Sequence, residues 1–265
     1  MERLERAIRK SQEGLNTLTE YDLSPGMSAD ITKDLGDIED MHDKRLLDTK
    51  ALKAMRIIQP GNHNSSQLNQ FRELRTKLLN DSQGKNFTVM VTSIVPKGGA
   101  SFIATNLAAA FAFDQSKTAL LIDCNLKYPN VDRLFGLKDC HGLTDFLHNP
   151  DVGIEAIIQP SGIQRLRLIS VGRFREIGTE FFTSQGMLIL MNHLSRRYND
   201  RFTIIDAPCF MDSADSRILM EHSDKVVLVV PYGRVTADQI ESAINSIGTE
   251  KLAGVVINNQ PNIGL

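Results

Sequence analysis

The chain has 265 residues, of which 42% are hydrophobic and 23% charged, with a formal net charge of -2. That balance suits a globular protein with a sizeable core and excludes nucleic acid or an anionic membrane surface as the main electrostatic partner. Three cysteines, Cys124, Cys140 and Cys209, have no zinc-ligand spacing, and so sparse and odd a count points to a reducing compartment.

The first residues, MERLERAIRKSQEG, are too polar for a signal peptide, and no apolar run approaches the roughly 18 residues that cross a bilayer. The expectation is a cytoplasmic chain, peripheral to the inner membrane only through a partner. Leu4, Ala7, Ile8 and Leu15 fall near helical spacing, which predicts a short amphipathic helix. That helix either docks onto a partner or lies on its own domain. The charged stretch ADITKDLGDIEDMHDKRLLDTKALKAM follows, between turn signals at SPG and QPG. Residues 1–60 are therefore expected to be an N-terminal amphipathic helix and mobile linker, and residues 61–265 an α/β domain.

From Phe87 the pattern changes. FTVMVTS, TALLIDC, LRLIS, FTIID, KVVLVV and GVVIN are short apolar runs rich in β-branched residues. Stretches of helical character separate most of them, among them SFIATNLAAAFAF, EFFTSQGMLILMNHLSRRY and VTADQIESAINSI. Continuous apolar strands alternating with helices predict a mostly parallel sheet with helices on both faces. In such sheets ligands bind beyond the carboxyl ends of the strands.

Three of those ends carry polar groups. After the first strand, Gly98 and Gly99 stand at a strand–helix turn, where backbone N–H groups and a helix N-terminus can surround phosphate. Ser101 is a candidate magnesium ligand there, and Lys97 lies on the loop itself. A glycine pair alone is equally a plain turn. Asp123 ends the second strand, with Asn125 two residues on, and Asp206 ends a later one. A carboxylate at each of two strand ends beside a phosphate loop is how such folds organise magnesium. Either aspartate alone is equally a cap on the turn that follows it.

Several signatures together resemble the cytoplasmic domain of bacterial tyrosine kinases that control capsule and exopolysaccharide export, within the P-loop NTPase group that includes MinD and ParA. TSIVPKGGASFIATNLAAAFA resembles the first phosphate motif, T-S-x-x-P-G-E-G-K-S. LLIDCNLKYPNVDRLFGL resembles L-L-I-D-A-D-L-R-R-P through Asp123, Lys127 and Pro129. FTIIDAPCFMDSADS resembles I-I-D-T-P-P through Asp206 and Pro208. HGLTDFL, VGRFREIGTEFFTS and GVVINN fall at further family positions. The resemblance covers roughly Gln67 onward, and the polar N-terminal segment is similar to the extension of an exosortase-linked subfamily.

The resemblance implies ATP and Mg2+ as cofactors, with Lys97, Gly98, Gly99, Ala100, Ser101 and Asn258 at the nucleotide. It implies magnesium at Ser101, Asp123 and Asp206, and catalytic roles for Asp123 and Asp206. NQFRELRTKLL resembles the family's assembly helix through Arg72 and Arg75, which implies a homo-oligomer interface, although Asn69 replaces a glutamate. The implied partner is a membrane polysaccharide chain-length co-polymerase or a kinase relative. Ser184 and Arg234 match family positions near the nucleotide and carry no assigned role.

The departures cluster on chemistry. Ala100 stands where the family has the phosphate-binding lysine, Lys97 where it has a loop glycine, and Asn125 where it has a second aspartate. The final stretch NNQPNIGL lacks the family's tyrosine-rich tail; the four tyrosines are Tyr21, Tyr128, Tyr198 and Tyr232. A hydrogen bond to a charged group contributes roughly 1.5–3 kcal/mol. A lost transition-state donor costs roughly 2.7–4 kcal/mol more in rate. Summed, they weaken the site by roughly three to five powers of ten. Asn125 cannot act as a general base. The expectation is weak or absent nucleotide binding and a catalytically impaired regulatory partner. The alternative is an active ATP-dependent autokinase in which Lys97, a point charge on a flexible stem, replaces the missing lysine.

Overall fold

The computed structural model describes residues 46–59, 66–83, 85–114, 117–173, 180–197 and 201–261. The predicted N-terminal helix lies outside them. Seven strands form one sheet in the order β3-β4-β2-β5-β1-β6-β7. They are β1 (Thr88–Ser93), β2 (Thr118–Asp123), β3 (Gln159–Pro160), β4 (Leu166–Ile169), β5 (Arg201–Asp206), β6 (Lys225–Pro231) and β7 (Leu252–Asn258). All neighbours pair in parallel except β3, which runs antiparallel to β4. Every residue of β2 and β5 is buried, which is why their sequences read as unbroken apolar runs rather than alternating ones.

Two apolar clusters lie on the two faces of the sheet, so helices cover both. One face is dominated by the helix Ala100–Ala112, whose alanines let the backbone approach the strands closely. At its far end Phe111 stacks on Phe202 with ring centroids 4.5 Å apart, and Phe87 lies 4.9 Å from Phe202. The helices Ala214–Glu221 and Ala237–Ile247 contribute Leu219, Ala243 and Ile247 to the other face. The second of these helices starts at a capping box between Thr236 and Gln239.

The segment expected to be linker adds structure of its own. A helix over Thr49–Ala54 is capped by Asp48, and Leu52, Ile57 and Ile58 join the core. Asn106, 1% exposed in an otherwise apolar helix, accepts from the Ile58 N–H at 2.8 Å and donates to the Arg56 carbonyl at 3.2 Å. Residues 47–58 therefore belong to the sheet's domain. The predicted helix EFFTSQGMLILMNHLSRRY is interrupted at Ser184, which separates Glu180–Thr183 from Gln185–Arg197. Among the described residues, no helix is long and apolar enough to cross a membrane.

Candidate phosphate-binding site

The carboxyl ends of β1, β2 and β5 meet in the middle of the sheet. β5 lies between β1 and β2, and Asp123 and Asp206 are register partners on adjacent strands. The loop from Ile94 to Gly99 leaves β1 and enters the helix Ala100–Ala112. Parallel pairing thus brings together three motifs that are far apart in the chain.

The loop's carbonyls are all engaged. Phe210 N–H donates to Ser93 O at 2.8 Å, the Cys209 thiol to Ile94 O at 2.8 Å, and the Ser93 hydroxyl to Val95 O at 2.8 Å. The guanidinium of Arg234 donates to Pro96 O at 3.0 Å and Lys97 O at 2.9 Å. Asn258 Nδ2 donates to Gly98 O at 3.0 Å, and Ile103 N–H to Gly99 O at 3.1 Å. In a trans peptide the N–H points opposite to the carbonyl. With the carbonyls turned toward protein donors, the following N–H groups face the other way. Among the described residues those of Lys97, Gly98, Gly99, Ala100 and Ser101 have no protein partner. Five open donors at the start of a 13-residue helix form an anion cradle.

Two backbone positions shape it. Gly99 has φ 100°, and a Cβ there would clash with Asn258 Nδ2. Lys97 has φ 57°, a left-handed conformation that favours glycine. The Lys97 side chain is exposed. Ala100, in the lysine position, is 8% exposed and brings no charge.

The two aspartates differ in their surroundings. Asp123 accepts from the N–H groups of Asn125 at 3.0 Å, Asn130 at 2.9 Å and Val131 at 3.0 Å. It fixes the turn of the second motif. Burial pushes its carboxyl up to about 6 despite those three bonds. Asp206 is 1% exposed, and among the described residues neither of its carboxylate oxygens has a hydrogen-bond partner of good geometry. Burial and then the Asp123 charge hold its pKa well above the usual carboxylate range, and the nearby Ser101 hydroxyl offsets this only in part. Asn125 serves the turn: its side-chain oxygen accepts from Tyr128 N–H at 3.2 Å.

Burial, followed by Asp123, Asp206 and Asp215, raises the pKa of Cys124. Burial also raises that of Cys209, which keeps its thiol protonated as the donor to Ile94. Among the described residues both carboxylate oxygens of Asp206 are buried without a hydrogen-bond partner of good geometry.

The phosphates of a nucleotide fit the row of open N–H donors. A divalent cation fits the orphaned Asp206 carboxylate together with Ser101. Asn258 lies against the loop rather than in a free turn. Arg75 donates to Ala110 O at 2.9 Å, at the C-terminal end of the loop helix. Arg72 lines an open surface groove of about 600 Å³ with Asn69, Glu73 and Lys77. Sequence reasoning missed the roles of Cys209 and Arg234. Their partners lie 115 and 137–138 residues away, and no periodicity records such pairs.

No family model matches the sequence. The chain is 32% identical over 207 residues to the tyrosine-protein kinase YwqD of Bacillus subtilis, covering 77% of this chain and 84% of that one. It is 26% identical over 219 residues to the tyrosine-protein kinase wzc of Salmonella typhimurium, covering 82% of this chain but only 30% of that longer protein. Among solved structures, the chimerical protein CapA2B2 superposes with a TM-score of 0.70 at 26% identity, over 82% of this chain and 93% of that one. The fold alone is shared with apo McdA from Cyanothece, at a TM-score of 0.52 and 17% identity over 64% of this chain and 71% of that one. The extent of the YwqD match, with the motif loops gathered at one end of the sheet, shows that this chain belongs to the bacterial tyrosine-protein kinase family.

Proposed function

We propose that the chain is a kinase-like P-loop protein of exopolysaccharide or capsule synthesis and export that holds Mg2+ and ATP weakly and transfers phosphoryl groups poorly. In this reading it acts as a regulatory partner, docking onto a membrane chain-length co-polymerase or a kinase relative and contributing to its assembly state. Arg72, on the groove face of the helix Ser66–Asp81, is the residue we assign to subunit contact; Arg75 would support that helix through Ala110.

The observation that carries this reading is the contrast within the site. The N–H cradle and the unpartnered Asp206 are kept, while Ala100 removes the charge that phosphoryl transfer needs. In phosphoryl transfer the protein supplies positioning and electrostatic stabilisation, so a loop without its lysine keeps the first better than the second. Nucleotide would bind through Gly98, Gly99, Ala100 and Ser101, and the cation through Asp206 and Ser101. The cation would neutralise phosphate charge there. Asp123 would hold the second-motif turn against it. Asn125 leaves no second carboxylate in that motif to take up the hydroxyl proton of an acceptor.

The test is phosphoryl transfer from labelled ATP to the chain itself and to a tyrosine peptide, for the wild type and an Ala100→Lys, Asn125→Asp variant. The reading expects transfer at least a hundredfold slower in the wild type. Equal rates would contradict it. The alternative, an autokinase using Lys97, draws on the exposed Lys97 side chain beside the cradle. It requires that Lys97→Ala abolish the wild-type activity.

A further inference from the structure

The loop keeps a phosphate-ready shape although two of its residues work against that shape. Lys97 holds a left-handed φ of 57° that a side chain disfavours. Without the motif lysine, no cation on this chain's loop helix draws phosphate in or sets the loop around it. A loop of this kind can turn its peptides over, which would aim carbonyl oxygens at the phosphate instead of N–H groups.

The structure shows what opposes this. Arg234 uses two nitrogens of one planar guanidinium to take two successive carbonyls, Pro96 O and Lys97 O. A fork with fixed geometry suits two adjacent acceptors, where an ammonium supplies a point charge. Arg234 itself stands on a braced turn. Its N–H donates to Pro231 O at 3.3 Å, and Tyr232 N–H ties that turn to Asn258 O on β7 at 2.8 Å. Asn258 then takes the next carbonyl, Gly98 O. The turn after β6 and the end of β7 thus grip three consecutive loop carbonyls from the side opposite the open N–H groups.

We infer that Arg234 is a positioning residue for the phosphate cradle: its guanidinium holds the Pro96 and Lys97 carbonyls outward and so keeps the Lys97 and Gly98 N–H groups turned to the ligand. This rests on the nucleotide-binding part of the proposed function. Arg234 acts through the loop backbone and touches no reacting atom.

Two readouts test it on the full chain, with Arg234→Ala and Arg234→Lys. The first needs no ligand. Trypsin cleaves after the exposed Lys97 only when the loop leaves its held conformation. The cut at that bond, mapped by mass spectrometry, is expected about tenfold faster in Arg234→Ala, with Arg234→Lys in between. The second is calorimetric titration with ATP and magnesium and, separately, with tripolyphosphate. Both affinities are expected to fall by the same factor, about tenfold, in Arg234→Ala and to recover partly in Arg234→Lys. A purely structural role would lower the thermal midpoint without this equal loss for the two ligands.

An unchanged tryptic rate overturns the inference. So does a loss for ATP without a loss for tripolyphosphate, which would put Arg234 at the base. A wild type that binds both ligands, with Arg234→Ala indistinguishable from it, sinks this inference alone. A wild type that binds neither sinks the nucleotide reading and the positioning role with it.

Discussion

Asp123 and Asp206 stand side by side on adjacent parallel strands, yet three backbone N–H groups bond the first and none bonds the second. Two buried carboxylates in register repel each other, and only one is compensated by the protein. The site is therefore short of positive charge at Asp206.

That imbalance gives a pH dependence with a definite sign. Both carboxyls titrate above the usual range when folded, Asp123 at about 6 and Asp206 well above the ordinary carboxylate value. The folded state therefore binds these protons more tightly than the unfolded chain. Their contribution to stability is fullest below about pH 4 and is lost as pH rises through 6 and beyond. Asp206→Asn removes one of these two titrations. It is expected to stabilise the ligand-free protein by about 1–3 kcal/mol near neutral pH and by little in acid. Urea unfolding of both proteins at acid and neutral pH checks this; a gain that is equal at both would contradict the assignment.

Gly99→Ala should damage the cradle twice over. The left-handed φ of 100° costs a side chain about 1–2 kcal/mol, and the new Cβ would displace Asn258 from Gly98 O. Denaturant unfolding should show that loss, and titration with ATP and magnesium should show no binding. Preserved stability together with preserved binding would mean that the loop does not need this backbone conformation.

Asn106→Ala should release the N-terminal segment. It leaves the Ile58 N–H and the Arg56 carbonyl without their partner, at a cost of about 1–3 kcal/mol. Limited proteolysis should then cut after Lys53 or Arg56 faster than in the wild type, while the sheet's core resists. Unchanged cleavage would show that Leu52, Ile57 and Ile58 hold the segment through apolar contact alone.

The fold was legible because buried parallel strands leave a composition signal. TALLIDC and FTIID match β2 and β5 to within a residue. The glycines and both aspartates could be found because strand ends and turns have their own residue preferences. Residues 47–58 were not legible as packed structure, since their charge count resembles a linker and their anchor, Asn106, looks out of place in an apolar helix. β3 has two residues and gives no pattern. The grip of Arg234 and Asn258 on the loop depends on pairs 137 to 160 residues apart. Only the sheet order brings those pairs together.

The central claim is that the cradle still accepts nucleotide phosphate while the missing lysine weakens it. Calorimetric titration of the wild type and Ala100→Lys with ATP and magnesium tests it most directly. A restored lysine adds a charged hydrogen bond worth roughly 1.5–3 kcal/mol, so Ala100→Lys is expected to bind roughly ten- to a hundredfold more tightly than a weakly binding wild type. Equal affinity in the two proteins, or no binding by Ala100→Lys, would contradict it.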